Sequence, residues 1–190
     1  MTLTNQAGAS ISGGTNGVVS TAGAITVDNA GSITATSGAA IDALIDITVI
    51  NRAGGVISGG PSAIFARGGN VTLDNAGSIT SAGTTVSAFD RVALINRAGA
   101  TISGSIIGAN GVDVNNSGHI DILGGPNLKV VNTGTGSIGN IFGLGAPIST
   151  IPERWPTSTP SGRAVWSIAP AEAWATLSGM AVLSITLADT

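Results

Sequence analysis

An internal repeat is the feature that most constrains what this chain can fold into. A motif in which asparagine is followed by glycine and then by isoleucine recurs seven times, at steps of 24, 22, 24, 21, 20 and 16 residues. Repeats of about 22 residues are typical of solenoids, in which each repeat packs against its neighbours. The repeated asparagines are Asn5, Asn29, Asn51, Asn75, Asn96, Asn116 and Asn132.

The repeat has two forms, which alternate along the chain. In the long form the isoleucine lies six residues after the asparagine, as in NRAGGVI from Asn51. In the short form it lies four residues after the asparagine, as in NAGSI from Asn29. The alternation indicates that the deeper unit is a pair of repeats of about 45 residues.

Each asparagine follows a segment in which apolar residues alternate with others, as in Ile25-Thr26-Val27-Asp28-Asn29. A period of two predicts a strand with one buried face, and on that parity the asparagine side chain points inward where the strand ends. A second strand is expected around the isoleucine, and a third around a small apolar pair seven or eight residues later. Glycine-rich corners separate the strands, as at Gly59-Gly60.

Three strands and three corners per repeat predict a right-handed parallel β-helix (solenoid) of about seven coils over residues 1–145. Stacked coils would align the isoleucines in interior columns and the asparagines in an amide ladder between coils. A leucine-rich repeat is rejected because leucine is scarce and no segment has a helical pattern. A propeller is rejected because its blades need about 40 residues and tight hairpins.

Few residues of this chain have the chemistry of a catalytic or binding site. Charged residues make up 9% of the sequence and the net charge is −3, so no basic patch is available and nucleic acid is not an expected partner. The absence of cysteine excludes disulfides and thiolate metal sites. We predict no catalytic, cofactor-binding or metal-binding residues, no cofactor and no small-molecule substrate, and we expect that the chain is not an enzyme.

The individual candidates support that expectation. His119 is the only histidine, and its parity predicts an outward, solvated side chain, with no Ser/His/Asp set around it. Asp28 and Asp74 occupy equivalent positions two coils apart. They are therefore expected to lie in one column on the surface and not to converge as an acid–base pair. Asp42 and Asp46 share a loop, and solvated charge is the expected state of both.

Outward threonines recur on two strands of the predicted solenoid. A flat threonine array could match ice or a glycan surface, but ordinary β-propensity on a solvent-facing strand explains it better. The threonines are Thr26, Thr48, Thr72, Thr34 and Thr80, and the first column is interrupted by Ala93, Asp113 and Lys129.

Residues 146–190 form a tail of different composition. All 13 asparagines lie at or before Asn140, whereas the tail holds five of the seven prolines and all three tryptophans. Proline at this density predicts an irregular linker over residues 147–163. Residues 171–188 could form a short helix or a strand that packs over the open end of the solenoid. The alternatives are a disordered tail or a non-native one, such as the frame-shifted end of a truncated gene.

The repeat N-x-G-x-I after an apolar-x-apolar strand resembles the passenger regions of bacterial autotransporters, the type V secreted adhesins, over residues 1–145. The resemblance implies a structural or adhesive segment of a cell-surface, outer-membrane-associated or secreted protein. It also implies a signal sequence before the passenger and a membrane-embedded barrel after it. The first residues have no signal-peptide pattern, and the tail lacks alternating ten-residue strands, so we expect a fragment of a longer protein.

The expected partners are glycans, host surface proteins or other copies of the chain that associate through coil edges. The alternative function is a fragment of a carbohydrate-active β-helix enzyme of the polysaccharide lyase or hydrolase type. A converging acidic cluster on one strand face would favour the enzyme, whereas uniform ladders of serine, threonine and asparagine would favour the stalk. A third possibility is a non-functional remnant.

Overall fold

The structure, a computed structural model, describes residues 1–143 and the backbone of a short strand at residues 181–184. Within that part of the chain all regular elements are β-strands, and there is no helix long and apolar enough to cross a membrane. The strands are β1 (Thr2–Asn5), β2 (Ser10–Gly13), β3 (Val18–Ser20), β4 (Ile25–Asn29), β5 (Ser32–Ala35), β6 (Ala39–Ala43), β7 (Ile47–Asn51), β8 (Val56–Gly59), β9 (Ser62–Ala66), β10 (Val71–Asn75), β11 (Ser78–Ala88), β12 (Arg91–Asn96), β13 (Thr101–Gly108), β14 (Gly111–Asn116), β15 (His119–Gly125), β16 (Leu128–Asn132), β17 (Ser137–Gly143) and β18 (Ala181–Ser184).

The strands confirm the predicted parallel β-solenoid. The strands that end at the repeated asparagines form one seven-stranded parallel sheet in the order β1-β4-β7-β10-β12-β14-β16. The strands that follow each corner form a second sheet in the order β2-β5-β8-β11-β13-β15-β17, with β18 beyond β17. Seven stacked repeats, with six steps between neighbouring coils, make about six turns of the solenoid.

The cross-section changes along the solenoid, which the sequence pattern did not predict. In the first three coils the third strand is separate, and β3, β6 and β9 pair in that order. From the fourth coil onward the second and third strands merge, so that β11, β13, β15 and β17 each cover both positions. The coils also shorten, from 24 residues to 16 between asparagines. A shorter coil has too few residues for a third corner, and the register shifts between Thr80 and Val86 accommodate the change.

Among the described residues, the core consists of stacked aliphatic columns with no aromatic side chain. In the second strand position the isoleucines of all seven coils pair in register. Burying each large aliphatic side chain stabilises the fold by about 1.5–3 kcal/mol, and in-register stacking is required because a slip of one residue would turn every column outward. This column is Ile11, Ile33, Ile57, Ile79, Ile102, Ile120 and Ile138.

The corner after each asparagine explains why the two forms of the repeat alternate. Long-form corners are turns in which a glycine adopts a positive φ, as Gly54 does at 79°. Short-form corners lack that turn, and their glycine lies directly against the long corner of the preceding coil. A Cβ placed on Gly77 would lie 2.7 Å from the carbonyl oxygen of Arg52, and it would also meet the Gly55 carbonyl. A long corner thus fits closely over a short one.

The expected linker over residues 147–163 and most of the apolar segment 171–188 lie outside the described part of the chain. The exception is β18, which pairs antiparallel with β17, Ile141 opposite Leu183. One segment of the tail therefore adds a strand to the last coil of the second sheet.

The close fit of the short-form glycine generates a stability prediction. Gly77→Ala should lower the free energy of unfolding by about 2 kcal/mol or more, because the new methyl group meets backbone atoms that cannot move without displacing the neighbouring coil. Urea denaturation followed by circular dichroism measures this loss. Gly14→Ala is the matched control, since a Cβ there meets nothing within 4 Å, and it should leave the midpoint nearly unchanged. Equal midpoints for the two variants would contradict the packing of the corners.

Candidate functional site

The repeated asparagines form a continuous amide ladder along one corner of the solenoid. The Nδ2 atom of each asparagine donates a hydrogen bond to the Oδ1 atom of the asparagine in the next coil, at distances between 2.7 and 2.9 Å. All bonds run in the same direction along the chain. The members, in order, are Asn5, Asn29, Asn51, Asn75, Asn96, Asn116 and Asn132.

Five of the seven amides also bind the backbone of both their own corner and the next coil. The Nδ2 atom of Asn29, for example, lies 3.1 Å from the Gly31 carbonyl oxygen and 3.2 Å from that of Val56. The Gly31 carbonyl also accepts a hydrogen bond from the Val56 N–H at 2.9 Å, so the amide adds a second bond to a carbonyl that already joins the two coils. Across the described residues, no fully buried side-chain nitrogen or oxygen lacks a hydrogen-bond partner.

Burial makes the ladder a strict determinant of register. The six asparagines from Asn5 to Asn116 are buried, whereas Asn132 in the last coil is half-buried. A buried amide without partners costs about 1–3 kcal/mol, so a coil out of register would lose both its own pairing and that of its neighbours. The ladder holds the coils together, because each asparagine from Asn29 to Asn116 both donates to and accepts from a neighbouring asparagine.

The outer side of the same corner carries ion pairs that join one coil to the next. Arg52 binds the carboxylate of Asp28 through two hydrogen bonds of 2.6 Å, and Arg97 binds Asp74 with the same geometry. Sequence analysis identified the two aspartates but missed their partners. The repeat alignment could have indicated these pairs. Each arginine directly follows a long-form asparagine, and each aspartate directly precedes the short-form asparagine of the neighbouring coil.

The proximity of these groups shifts their ionisation. Hydrogen bonds from the Arg52 guanidinium hold the pKa of Asp28 below its ordinary value of 3.8, against the smaller opposing effect of burial. The pKa of Arg52 is raised by the same bonds. A carboxyl whose pKa is lowered on folding stabilises the fold above its ordinary pKa, and that contribution is lost as the pH falls through the lowered value. Since Asp28 is 30% exposed, the contribution is small.

Asp42 is not the solvated charge that the sequence predicted. Its side chain is 2% exposed and receives two hydrogen bonds from the Arg67 guanidinium, at 2.7 and 2.5 Å. The Asn16 amide lies 3.4 Å from the same carboxylate, and the Arg67 guanidinium also lies 5.3 Å from the Phe65 ring centroid. The expectation was wrong because the partners belong to different coils. Asp46 is also engaged, since it accepts bonds from the backbone and the side chain of Asn70.

The structure also assembles a set of residues that sequence analysis did not expect. His119 lies between Asp121, with Nε2 2.7 Å from Oδ1, and Ser137, with Nδ1 2.8 Å from Oγ. Two features of the sequence could have indicated this set. His119 and Asp121 are two residues apart and so share one face of a strand, and the alignment of the repeats places Ser137 beside His119. The outward position of His119 agrees with its parity, but the expectation that no Ser/His/Asp set can form was wrong.

The surroundings of this cluster differ from those of a hydrolytic triad. His119 and Asp121 have side chains that are 47% and 40% exposed, so water competes for every charge that a reaction would develop. The backbone N–H of Ser137 donates to the Gly118 carbonyl at 2.8 Å and is not available to an oxyanion. The cluster thus has a hydroxyl group and an imidazole in contact. The backbone N–H of its serine, however, is used in the hydrogen bonding between coils and cannot stabilise an oxyanion.

The remaining outer faces carry small polar residues in columns. The outward threonines Thr26, Thr48 and Thr72 pair in register and are extended by Thr2, before the column changes to Ala93. Among the described residues no group of three histidine, cysteine, aspartate or glutamate side chains could hold a metal ion. No protein-family model, no curated protein and no solved structure matches this chain. The parallel β-solenoid is therefore what the structure establishes.

The ladder yields a direct comparison of a buried amide with its exposed neighbour. Asn75→Leu should lower the free energy of unfolding by about 3 kcal/mol, because it leaves the amides of Asn51 and Asn96 without their partner. Asp74→Ala removes only a solvent-exposed ion pair and should have a much smaller effect. Denaturant midpoints of the two variants measure the difference, and similar midpoints would show that the ladder does not determine stability.

The two kinds of aspartate–arginine pair should respond differently to loss of the arginine. Arg67→Ala leaves the buried carboxylate of Asp42 without its charged partner, which is more destabilising than breaking a pair at the surface. Arg52→Ala is the control, since Asp28 remains accessible to water. Thermal unfolding at neutral pH should give the lower midpoint for Arg67→Ala. The reverse order would contradict the burial of Asp42.

Proposed function

We propose that this chain is a structural and adhesive segment of a bacterial cell-surface, outer-membrane-associated or secreted protein, similar to an autotransporter passenger. The observation that carries the proposal is the unbroken amide ladder, which makes the solenoid a continuous rod held by the same contacts at every step. A rod of this kind presents long, regular faces to its surroundings. Its function on this proposal is to hold those faces away from a surface and to bind through them.

The outer face of the asparagine-ended sheet supports distributed binding. One column there alternates a paired aspartate with an exposed isoleucine, so that Asp28, Ile50, Asp74 and Ile95 occupy successive coils. Ile50 and Ile95 are 43% and 45% exposed. The repetition offers several similar weak sites in a line instead of one deep site. Glycans, host surface proteins or further copies of the chain are the partners that such additive contacts suit.

The alternative, a carbohydrate-active β-helix enzyme, requires carboxylates that are free to donate and accept protons. The aspartates that the sequence singled out are engaged by arginine or asparagine instead. The cluster of His119, Asp121 and Ser137 is the observation that most favours an enzyme. Its exposure leaves the structural function as the better supported proposal.

Binding and turnover assays test the proposal together. On a panel of glycans and polyuronates, Thr48→Ala or Ile50→Ala should each lower affinity by less than about threefold, because no single outward residue dominates a distributed interface. Polysaccharide or ester turnover should be absent. Loss of binding by about tenfold or more from one substitution would contradict distributed binding. Turnover that disappears in Asp46→Asn, Asp74→Asn or His119→Ala, but persists in Thr48→Ala, would establish the enzyme instead.

A further inference from the structure

The cluster of His119, Asp121 and Ser137 lies where a column of hydroxyl side chains meets the only histidine of the chain. Ser137 is the hydroxyl that bonds this histidine. The Thr101 hydroxyl, on the other side of His119, donates instead to Ser78 Oγ at 3.2 Å. The column runs along the outer face of the second sheet through Ser10, Ser32, Val56, Ser78, Thr101, His119 and Ser137.

The two contacts of His119 determine which of its ring nitrogens carries the proton. Nε2 lies 2.7 Å from Asp121 Oδ1, and an ionised carboxylate only accepts hydrogen bonds, so Nε2 is the protonated nitrogen of the neutral ring. Nδ1 then has a lone pair and accepts a hydrogen bond of 2.8 Å from the hydroxyl of Ser137. The imidazole is therefore oriented to remove the hydroxyl proton when Ser137 Oγ attacks an electrophile.

The backbone of a neighbouring coil holds the carboxylate in this orientation. Asp121 Oδ2 accepts a hydrogen bond of 3.0 Å from the N–H of Gly104. Gly104 has a positive φ of 105° and lies where the register between β13 and β15 shifts, so its N–H turns out of the regular ladder toward the carboxylate. Asp121 is thus a positioning residue for the imidazole.

The amide ladder fixes the strands that carry the base and the hydroxyl. Asn96 Nδ2 donates to the His119 carbonyl oxygen at 3.1 Å, and Asn116 Nδ2 donates to that of Ser137 at the same distance. A group that reacts in a defined geometry needs such support from the structure around it. The cluster therefore lies on the most regular part of the solenoid.

We propose that Ser137 is a covalent attachment site that takes one acyl group from an activated donor, a thioester or an aryl ester. Ser137 Oγ attacks the carbonyl carbon of the donor, and its proton passes to His119 Nδ1. The bond between the carbonyl carbon and the leaving group breaks, and the leaving thiolate or phenolate takes the proton from His119. The products are O-acyl-Ser137 and a thiol or phenol, and the imidazole is restored.

The reaction ends after one acyl transfer because the donor and the product differ in reactivity. A thioester or aryl ester has a good leaving group, so the water around the exposed cluster is sufficient to solvate the developing oxyanion. The product is an alkyl ester with a poor leaving group, and the Ser137 N–H is bonded to the Gly118 carbonyl. The acyl-serine therefore accumulates, which differs from both catalytic turnover and the distributed binding proposed above.

Treatment of the full chain with 4-nitrophenyl acetate tests the site. One equivalent of 4-nitrophenol should be released from it, and peptide mapping should locate an acetyl group on Ser137 that hydroxylamine removes. General-base catalysis accelerates reactions by about 10²–10⁴-fold, so Ser137 should react at least about tenfold faster than Ser78. Ser78 is half-buried in the same column, as Ser137 is, and serves as the control within one molecule. Acetyl groups on the amines of Met1 and Lys129 resist hydroxylamine.

The pH dependence separates a base from a structural contact. The rate at Ser137 should rise with pH as the His119 imidazole loses a proton, and should then reach a plateau. Asp121 is the charged group that faces the ring, and the flanking residues Thr101 and Ser137 are uncharged. In His119→Gln the plateau should be lost, and the rate at Ser137 should fall to that at Ser78.

The outcomes distinguish this proposal from the others. Equal rates at Ser137 and Ser78, or an unchanged rate in His119→Gln, would overturn the attachment site and leave distributed binding unaffected. Release of many equivalents that stops in Ser137→Ala would show an enzyme and overturn both proposals. Loss of the fold in a variant is recognised because it would raise the rates at Ser78 and Ser137 together.

Discussion

The hydrogen-bonded contact between one coil and the next is the interaction on which the rest of this structure depends. In a solenoid each strand finds its backbone partners only in neighbouring coils, so the fold exists only if every coil stacks in the same register. The buried asparagines enforce that register, because each amide has its donors and acceptors met only when the next asparagine lies directly beside it. The aliphatic columns supply the larger stabilisation. They tolerate small displacements between coils, whereas the amides lose their hydrogen bonds when the coils are displaced.

The corners determine how the coils fit. A long corner needs a glycine with a positive φ to complete its turn, and the short corner beside it needs a glycine because there is no room for a side chain. Two different physical requirements thus select the same residue type at alternating positions. The shorter coils toward the end of the solenoid keep the asparagine corner and merge the other strands, which indicates that the asparagine corner is the part of the coil least able to change.

The scarcity of charge has a consequence for function. All seven aspartates of the described residues accept hydrogen bonds from arginine, asparagine or histidine, and for six of them this partner belongs to a neighbouring coil, so these charges link one coil to the next. What remains on the outside is a set of regular columns of threonine, serine and exposed aliphatic residues. Such a surface suits many weak contacts better than one strong one. The support for an adhesive rod is therefore the regularity of the structure and not a particular pocket.

The sequence by itself determined the repeat, its two forms, the parity of each strand and hence the parallel solenoid, because these depend on local alternation and on residue spacing alone. The inward position of Asn75 and the outward position of His119 follow from the same parity. Only the tertiary structure decided which side chains from different coils meet. The burial of Asp42 by Arg67, and the contact of His119 with both Asp121 and Ser137, depend on the path of each corner and on the stacking of coils. The merging of the second and third strands after the third coil likewise depends on how many residues remain for each corner. That number is set by how the coils stack on one another.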